Sequence, residues 1–233
     1  GKEDADFLNS LIQRGTRIVL IDRKVEGVSA PVILSKNEEG AYQAVSYLIQ
    51  KGHKRIGIVL GLPNLGPIKE RFLGYKKALL EHGIKMDPSL IAYGNSQIKG
   101  GKEACFSLLK RSDKPTALFV TNILMSIGVL KALRQLRLRC PDVISIIGFD
   151  DYECTDIFDP PLTTVAQRPY YMGYKATQVL LDIVRNNRKE VPQEIRVDVV
   201  LRVRASVRSL RGGDVKEKEP LPIKNKPLRK GER

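Results

Sequence analysis

The chain has 233 residues, 42% of them hydrophobic, enough to bury a real core as one large or two small domains. Its three cysteines, Cys105, Cys140 and Cys154, lie too far apart for a disulfide framework or a paired-cysteine metal site, which implies a reducing, cytoplasmic setting. A net charge of +14 favours nucleic acid or another acidic surface as a partner; no apolar run approaches the ~18 residues needed to cross a bilayer, and the leading GKEDADFLNS lacks the apolar centre of a secretion signal.

Along the chain apolar strands alternate with amphipathic helices, which predicts an α/β fold with parallel sheet covered on both faces. Asp6 to Arg14 reads as a short helix closed by Gly15, Arg17 to Ile21 as a strand buried on both faces, and Val32 to Leu34 as a second strand. Asn37 is placed to cap a helix that runs to Gly52. Strand Ile56 to Leu60 leads into a helix from Pro67 to Glu81, with Pro in its first turn and Ile68, Phe72, Tyr75, Leu79 and Leu80 on its buried face. There follow a strand near Leu90 to Tyr93, a helix from Gly101 to Lys110, a strand from Ala117 to Val120 and a helix from Leu124 to Arg137. Strand Val143 to Ile147, helix Tyr170 to Val184 and a final strand Ile195 to Val203 complete the pattern. The tail from Arg211 to Arg233 holds eight Lys or Arg against four Asp or Glu, and is expected to be disordered.

The stretch from Val143 to Met172 carries the most information. A β-branched run ends abruptly in Gly148-Phe149-Asp150-Asp151, which sets a carboxylate at the carboxyl end of a strand, where open sheets form a ligand crevice. Read alone, the two carboxylates also suit the start of a loop or a helix cap.

GFDD, then PPLTTV, then Gln167 and a Met-Gly pair at the head of a helix resemble the sensor domain of the lactose-repressor (LacI/GalR) family of bacterial transcriptional regulators. Five further segments resemble that family in order: IVLIDR, NEEGAYQAVSYLIQKGHKRIGIVLG, KERFLGYKKALLEHGI, TNILMSIGVLKAL and VVLRVRASV. The resemblance covers Asp6 to Arg208. It implies a periplasmic-binding-protein-like fold of two Rossmann-like lobes with parallel sheets, joined by crossovers near Ser35-Lys36, Gln167-Arg168 and Val197-Val199. The first lobe would comprise residues 1–35 and 167–197, the second 36–166 and 198–210. Family members begin with a helix-turn-helix headpiece, a hinge helix and two strand-helix units that this sequence does not contain. The chain is therefore expected to be a fragment, with a partial first lobe and an exposed sheet edge.

The resemblance selects Arg71, in KERFLGY, as an arginine facing the effector cleft. A carboxylate accepts two hydroxyl hydrogen bonds and a guanidinium donates in a fixed fork, so Asp150 with Arg71 suits a ligand of adjacent hydroxyls such as a sugar. Replacing either is expected to weaken binding with little effect on folding. Arg71 also suits an exposed helix surface, Asn122 either binds ligand or caps the next helix, and Gln167 can reach the cleft from a crossover. Arg23 occupies a cleft position in the alignment but equally suits a solvated loop. Ser96 stands with Asn95 where some relatives place an aromatic platform, and Ile123 replaces the family's usual Asp. Ile127, Leu130 and Phe158 match positions where family members pair two-fold, or pack within their own lobe.

Other features read blandly. Gly61 to Gly66 opens a helix after a strand but lacks the Lys-Ser/Thr of a phosphate loop, and neither His53 nor His82 has metal-ligand spacing. No cofactor fingerprint, metal site or nucleophile-base set is complete. Three classes remain: the effector-sensing domain of a dimeric DNA-binding regulator that reaches its operator through a separate headpiece; a soluble sugar-binding protein of a transport system; and an α/β enzyme. The missing export signal and the basic charge oppose the second, and the lack of a catalytic constellation opposes the third.

Overall fold

A computed structural model of the chain describes residues 2–186 and 191–211; beyond Arg211 the tail expected to be disordered lies outside the described residues. Helix α1 (Lys2–Gln13) precedes strands β1 (Leu20–Ile21) and β2 (Val32–Ser35), and α2 (Asn37–Gln50) leads to β3 (Ile56–Leu60). Helix α3 (Gly66–Glu81), β4 (Ile91–Tyr93), α4 (Ile98–Leu109), β5 (Ala117–Val120), α5 (Ile123–Gln135) and β6 (Ser145–Phe149) continue the alternation. Then come β7 (Thr163–Ala166), α6 (Pro169–Asn186), β8 (Glu194–Val197) and β9 (Val200–Arg202).

The strands form two sheets. The smaller, in the order β1-β2-β8, is parallel throughout. The larger, in the order β4-β3-β5-β6-β7-β9, is parallel except where β9 runs against β7. The chain enters the larger sheet after Ser35, returns to the smaller through α6, and leaves it again between Val197 and Val200. Every residue of β3, β5, β6 and β7 is buried, as central strands covered on both faces must be. One face of the larger sheet packs Val45, Leu48, Tyr75 and Leu79 from α2 and α3, the other Cys105, Leu108, Val129 and Leu133 from α4 and α5. Met172, Ala176 and Val179 of α6 pack with Ile33 and Val197 of the smaller sheet.

Helix pairs approach closely where glycine removes a side chain. A Cβ on Gly128 of α5 would lie 2.1 Å from the Ile98 carbonyl oxygen of α4, and one on Gly74 of α3 would lie 2.2 Å from the Glu38 carbonyl oxygen of α2.

Five sequence expectations need correction. The strand expected over Arg17 to Ile21 shrinks to two residues at a sheet edge, where β1 pairs with β2 alone and Ile21 is exposed. Asn37 is not a cap: it is the first residue of α2, fully buried, and Lys36 stands at the cap position without a side-chain hydrogen bond. Leu80, expected in the core, is 79% exposed, because Tyr75, Ala78 and Leu79 define the inward face. The final strand splits into β8 and β9, which belong to different sheets. Strand β7 was not anticipated, since its threonines look polar; Thr163 is buried, its N–H donating to the Ser206 hydroxyl and its Oγ1 accepting from the Arg204 N–H.

Candidate functional site

Strand β6 ends at Phe149, and the backbone turns at Asp150 with a φ of 73°, a left-handed conformation that aspartate tolerates better than most residues. The same turn occurs at Asp22, also at φ 73°, after β1 of the other sheet. Each sheet thus ends in an aspartate at its carboxyl edge, where a crevice opens in folds of this kind.

Three elements meet at Asp150. The Gln167 Nε2 donates to its Oδ1 at 2.6 Å from the end of β7, and the Arg71 Nη2 lies 3.7 Å away on α3. Arg71 is itself almost fully buried. Its Nε donates to the Asn37 Oδ1 at 2.9 Å, its Nη1 to the Thr121 carbonyl at 2.6 Å, and its guanidinium stacks 3.6 Å from the centre of the Phe149 ring. Burial pulls the arginine's pKa below its ordinary value, and Asp150, Asp22 and Glu70 oppose that pull. The carboxylates hold a buried cation in place.

The network extends to both sheets. The Ser35 hydroxyl, at the end of β2, donates to the Gln167 Oε1 and lies 3.3 Å from the Met172 sulfur of α6. Asn37 donates to Glu70, which in turn accepts from the Arg196 guanidinium of β8 at 2.8 Å, an ion pair that spans the two sheets. Beside it lies a cavity of about 130 Å³, lined by Asp22, Arg23, Lys24 and Leu34 from the first sheet's side and by Asn37, Pro67 and Glu70 from the second. Known small-molecule pockets start near ~300 Å³, so a sugar-sized ligand needs a wider crevice than this one.

The structure therefore brings Arg71, Asp150 and Gln167 together, while Arg23 lines the neighbouring cavity, joined to that cluster through Asn37. The surface-helix alternative for Arg71 does not hold, since the side chain is buried. Asn122 and Ser96 bond to each other: the Asn122 Oδ1 caps α5 by accepting from the Met125 N–H at 2.8 Å, its Nδ2 donates to the Ser96 carbonyl, and the Ser96 hydroxyl accepts from the Leu62 N–H. Asp22, Ser35, Asn37 and Glu70 escaped sequence reasoning. Asp22 sits beside the arginine that was chosen instead, and Asn37 has the residue type of a cap; for Ser35 and Glu70 no local signal existed.

The remaining candidates have structural partners. Asp151 lies behind Asp150, its carboxylate held by Arg202 at 2.7 Å, by Arg204 at 2.9 Å and by the Thr155 and Thr164 hydroxyls. Burial would raise its pKa, but the Arg204 and threonine hydrogen bonds outweigh it and bring the carboxyl down to about 2. His53 is buried between the Thr116 hydroxyl and the Arg208 carbonyl, and burial lowers its pKa. Leu130 and Phe158 are half-buried against the α4–α5 side of the core, and Ile127 is half-buried on α5. Among the described residues no group of three His, Cys, Asp or Glu is arranged to hold a metal, and no helix is long and apolar enough to cross a membrane.

The model of the periplasmic binding protein-like domain family matches residues 45–207. This chain belongs to that family, among its lactose-repressor-type members. It is 36% identical over 181 residues to the HTH-type transcriptional repressor PurR of Haemophilus influenzae, a match that covers 77% of this chain and 54% of the relative. To the HTH-type transcriptional repressor CytR of Escherichia coli it is 35% identical over 193 residues, covering 83% and 56%. The chain thus spans about half the length of the curated relatives it matches. A LacI family transcriptional regulator from Enterococcus faecium, solved with bound ribose, superposes with a TM-score of 0.82 at 26% identity, covering 88% of this chain and 76% of that one. The transcriptional regulator CelR in complex with cellobiose superposes at 0.78 and 31% identity, covering 84% and 60%. This lactose-repressor-type domain shares with them the parallel-dominated α/β architecture that places Asp150 and Arg71 at the carboxyl edge of the larger sheet.

Proposed function

We propose that this chain is the effector-sensing part of a bacterial DNA-binding transcriptional regulator, acting in the cytoplasm as a binding domain and not as an enzyme. The observation that carries this reading is the buried Arg71 set 3.7 Å from Asp150 beside a crevice between two sheets. The Arg71 Nη2, fixed in place by the bonds of Nε and Nη1 to Asn37 and Thr121, faces the Asp150 carboxylate, a donor beside an acceptor that suits adjacent hydroxyls. The effector is a sugar or related polyol. Ribose and cellobiose in two structural relatives are ligands of that class. Gln167 and Arg23 add contacts, and Asn122 and Ser96, already bonded to each other, would join them only by exchanging those bonds.

Binding changes the separation of the two sheets, and with it the Arg196–Glu70 ion pair that spans them. In a homodimer paired through Ile127, Leu130 and Phe158, that movement would reset the spacing of DNA-reading headpieces on the operator. The relatives named as repressors favour this reading over a transport protein of the same fold. Isothermal titration of the chain against ribose, cellobiose and a panel of other sugars tests it. Saturable heat with one of them that Asp150→Asn weakens by about ten- to hundredfold is the expected result; no binding by any polyol removes the sugar reading.

A further inference from the structure

Strands β3, β5 and β6 are parallel neighbours, so their amino ends share one edge of the larger sheet, opposite the crevice. The loops that enter them carry Lys54 and Arg55 ahead of β3, and Arg111 and Lys114 ahead of β5. The segment after β9 crosses the same edge. The Ser206 carbonyl accepts from the Ile146 N–H at 2.8 Å, the Arg208 N–H donates to the Ser145 hydroxyl at 3.0 Å, and the Leu210 N–H donates to the Lys51 carbonyl at 2.7 Å. Arg208 and Arg211 thereby join the four cations from the loops.

Acceptors are in short supply there. Asp113 and Asp87 are shared: Arg55 reaches Asp113 at 2.8 Å and Asp87 at 3.6 Å, and Arg111 reaches Asp113 at 3.6 Å. The Nε atoms of Arg55, Arg111 and Arg208 are buried with no hydrogen-bond partner, three of the five such side-chain atoms among the described residues. Lys54, Lys114 and Arg211 are exposed.

We propose that this amino-terminal edge of the larger sheet is a docking surface for the phosphate backbone of nucleic acid, separate from any operator-reading headpiece. Exposed Lys54, Lys114 and Arg211, beside arginines that share their carboxylate partners, suit phosphate oxygens, which are contacted by charge and hydrogen bonds alone. Lysine is depleted, and aromatic residues enriched, at the centres of protein interfaces, which disfavours an apolar protein partner. The surface positions without reading sequence. It adds affinity for any duplex in reach, and that affinity falls steeply with salt.

The test is fluorescence anisotropy of the full chain with a short labelled DNA duplex of arbitrary sequence, over a range of salt concentrations. The triple variant Lys54→Glu/Lys114→Glu/Arg211→Glu is compared with a charge-matched control, Lys69→Glu/Lys99→Glu/Arg134→Glu, on exposed helix positions elsewhere. Circular dichroism first establishes that both variants melt like the parent. The edge variant is expected to bind at least tenfold more weakly than the control, with a slope of log affinity against log salt shallower by about 2 to 3. Equal losses in the two variants would show that net charge alone is responsible and overturn the proposal. So would displacement of the duplex by poly-L-glutamate at equal charge concentration, which would make the surface a reader of acidic protein.

Discussion

Arg71 is anchored before any ligand arrives, by Asn37, by the Thr121 carbonyl and by the Phe149 ring. These contacts argue against the expectation that its removal would spare folding. Arg71→Ala leaves the Asn37 Oδ1 and the Thr121 carbonyl without their donor and opens a hole beside Phe149, and is expected to cost about 3 kcal/mol of stability, read from the urea midpoint. Asp150 differs. It is partly exposed and contributes one carboxylate beside the crevice, so Asp150→Asn is expected to weaken effector binding by about 1.5–3 kcal/mol and, as it removes the charge nearest the buried guanidinium, to lower the unfolding midpoint by less than Arg71→Ala does. Equal affinity of Asp150→Asn and parent by isothermal titration would remove this carboxylate from the binding site. Its neighbour Asp151 has an opposite character. With a folded pKa of about 2, below the ordinary aspartate value, it contributes stability that is complete above pH ~4 and is lost as the pH falls toward 2. Urea titrations at pH 5 and pH 2 should show the parent losing about 2 kcal/mol more than Asp151→Asn over that interval.

At the scale of elements, the close helix crossings are the most demanding feature. Gly128 faces the Ile98 carbonyl with no room for a methyl group, and the contact is with backbone that cannot swing aside. Gly128→Ala should therefore force α4 and α5 apart and destabilise the chain by about 3 kcal/mol despite alanine's better helix propensity, measured by thermal melting. A melting temperature equal to the parent's would show the crossing to be looser than it looks. The central strands β3 and β5 were legible because each is a short apolar run between turn residues; β6 was found but begins two residues later than expected, at Ser145, with Val143 exposed. Strand β7 was not, because what buries Thr163 and Thr164 is a set of hydrogen bonds to Ser206, Arg204 and Asp151, about 40 residues away or on the far side of a loop. Asp150 and Arg71 could be picked out by strand-end position and family motif. Asn37 and Glu70 could not, since a buried anchor and a helix cap use the same asparagine, and a glutamate on a helix looks solvated until its partners are known.

Across the whole molecule the two sheets are unequally built. Leu20 and Ile21 form a two-residue edge strand with one neighbour, whereas Ile56–Leu60 is buried between β4 and β5. Amide hydrogen exchange should accordingly be fast in Leu20 and Ile21 and slowest in Ile58 and Val59, with exchange from the second group tracking global unfolding. Comparable protection in both would mean that the smaller sheet is as firmly held as the larger. The smaller sheet's paired edge faces the larger one through Arg196, so its mobility bears directly on how the crevice opens.

Strand β9 is the final strand of the described chain, yet it seals the outer edge of β7, and the segment just after it supplies Ser206 to β6 and β7 and Arg204 to Asp151. A nascent chain emerging from the ribosome in order would hold β3 to β7 for a time with that edge open and Asp151 missing its arginine partners. Those five parallel strands, apolar and uncovered at one side, would resemble the unpaired edges that recruit other chains. A stop codon after Val197 would make that transient state permanent and should yield insoluble protein rather than a smaller working domain.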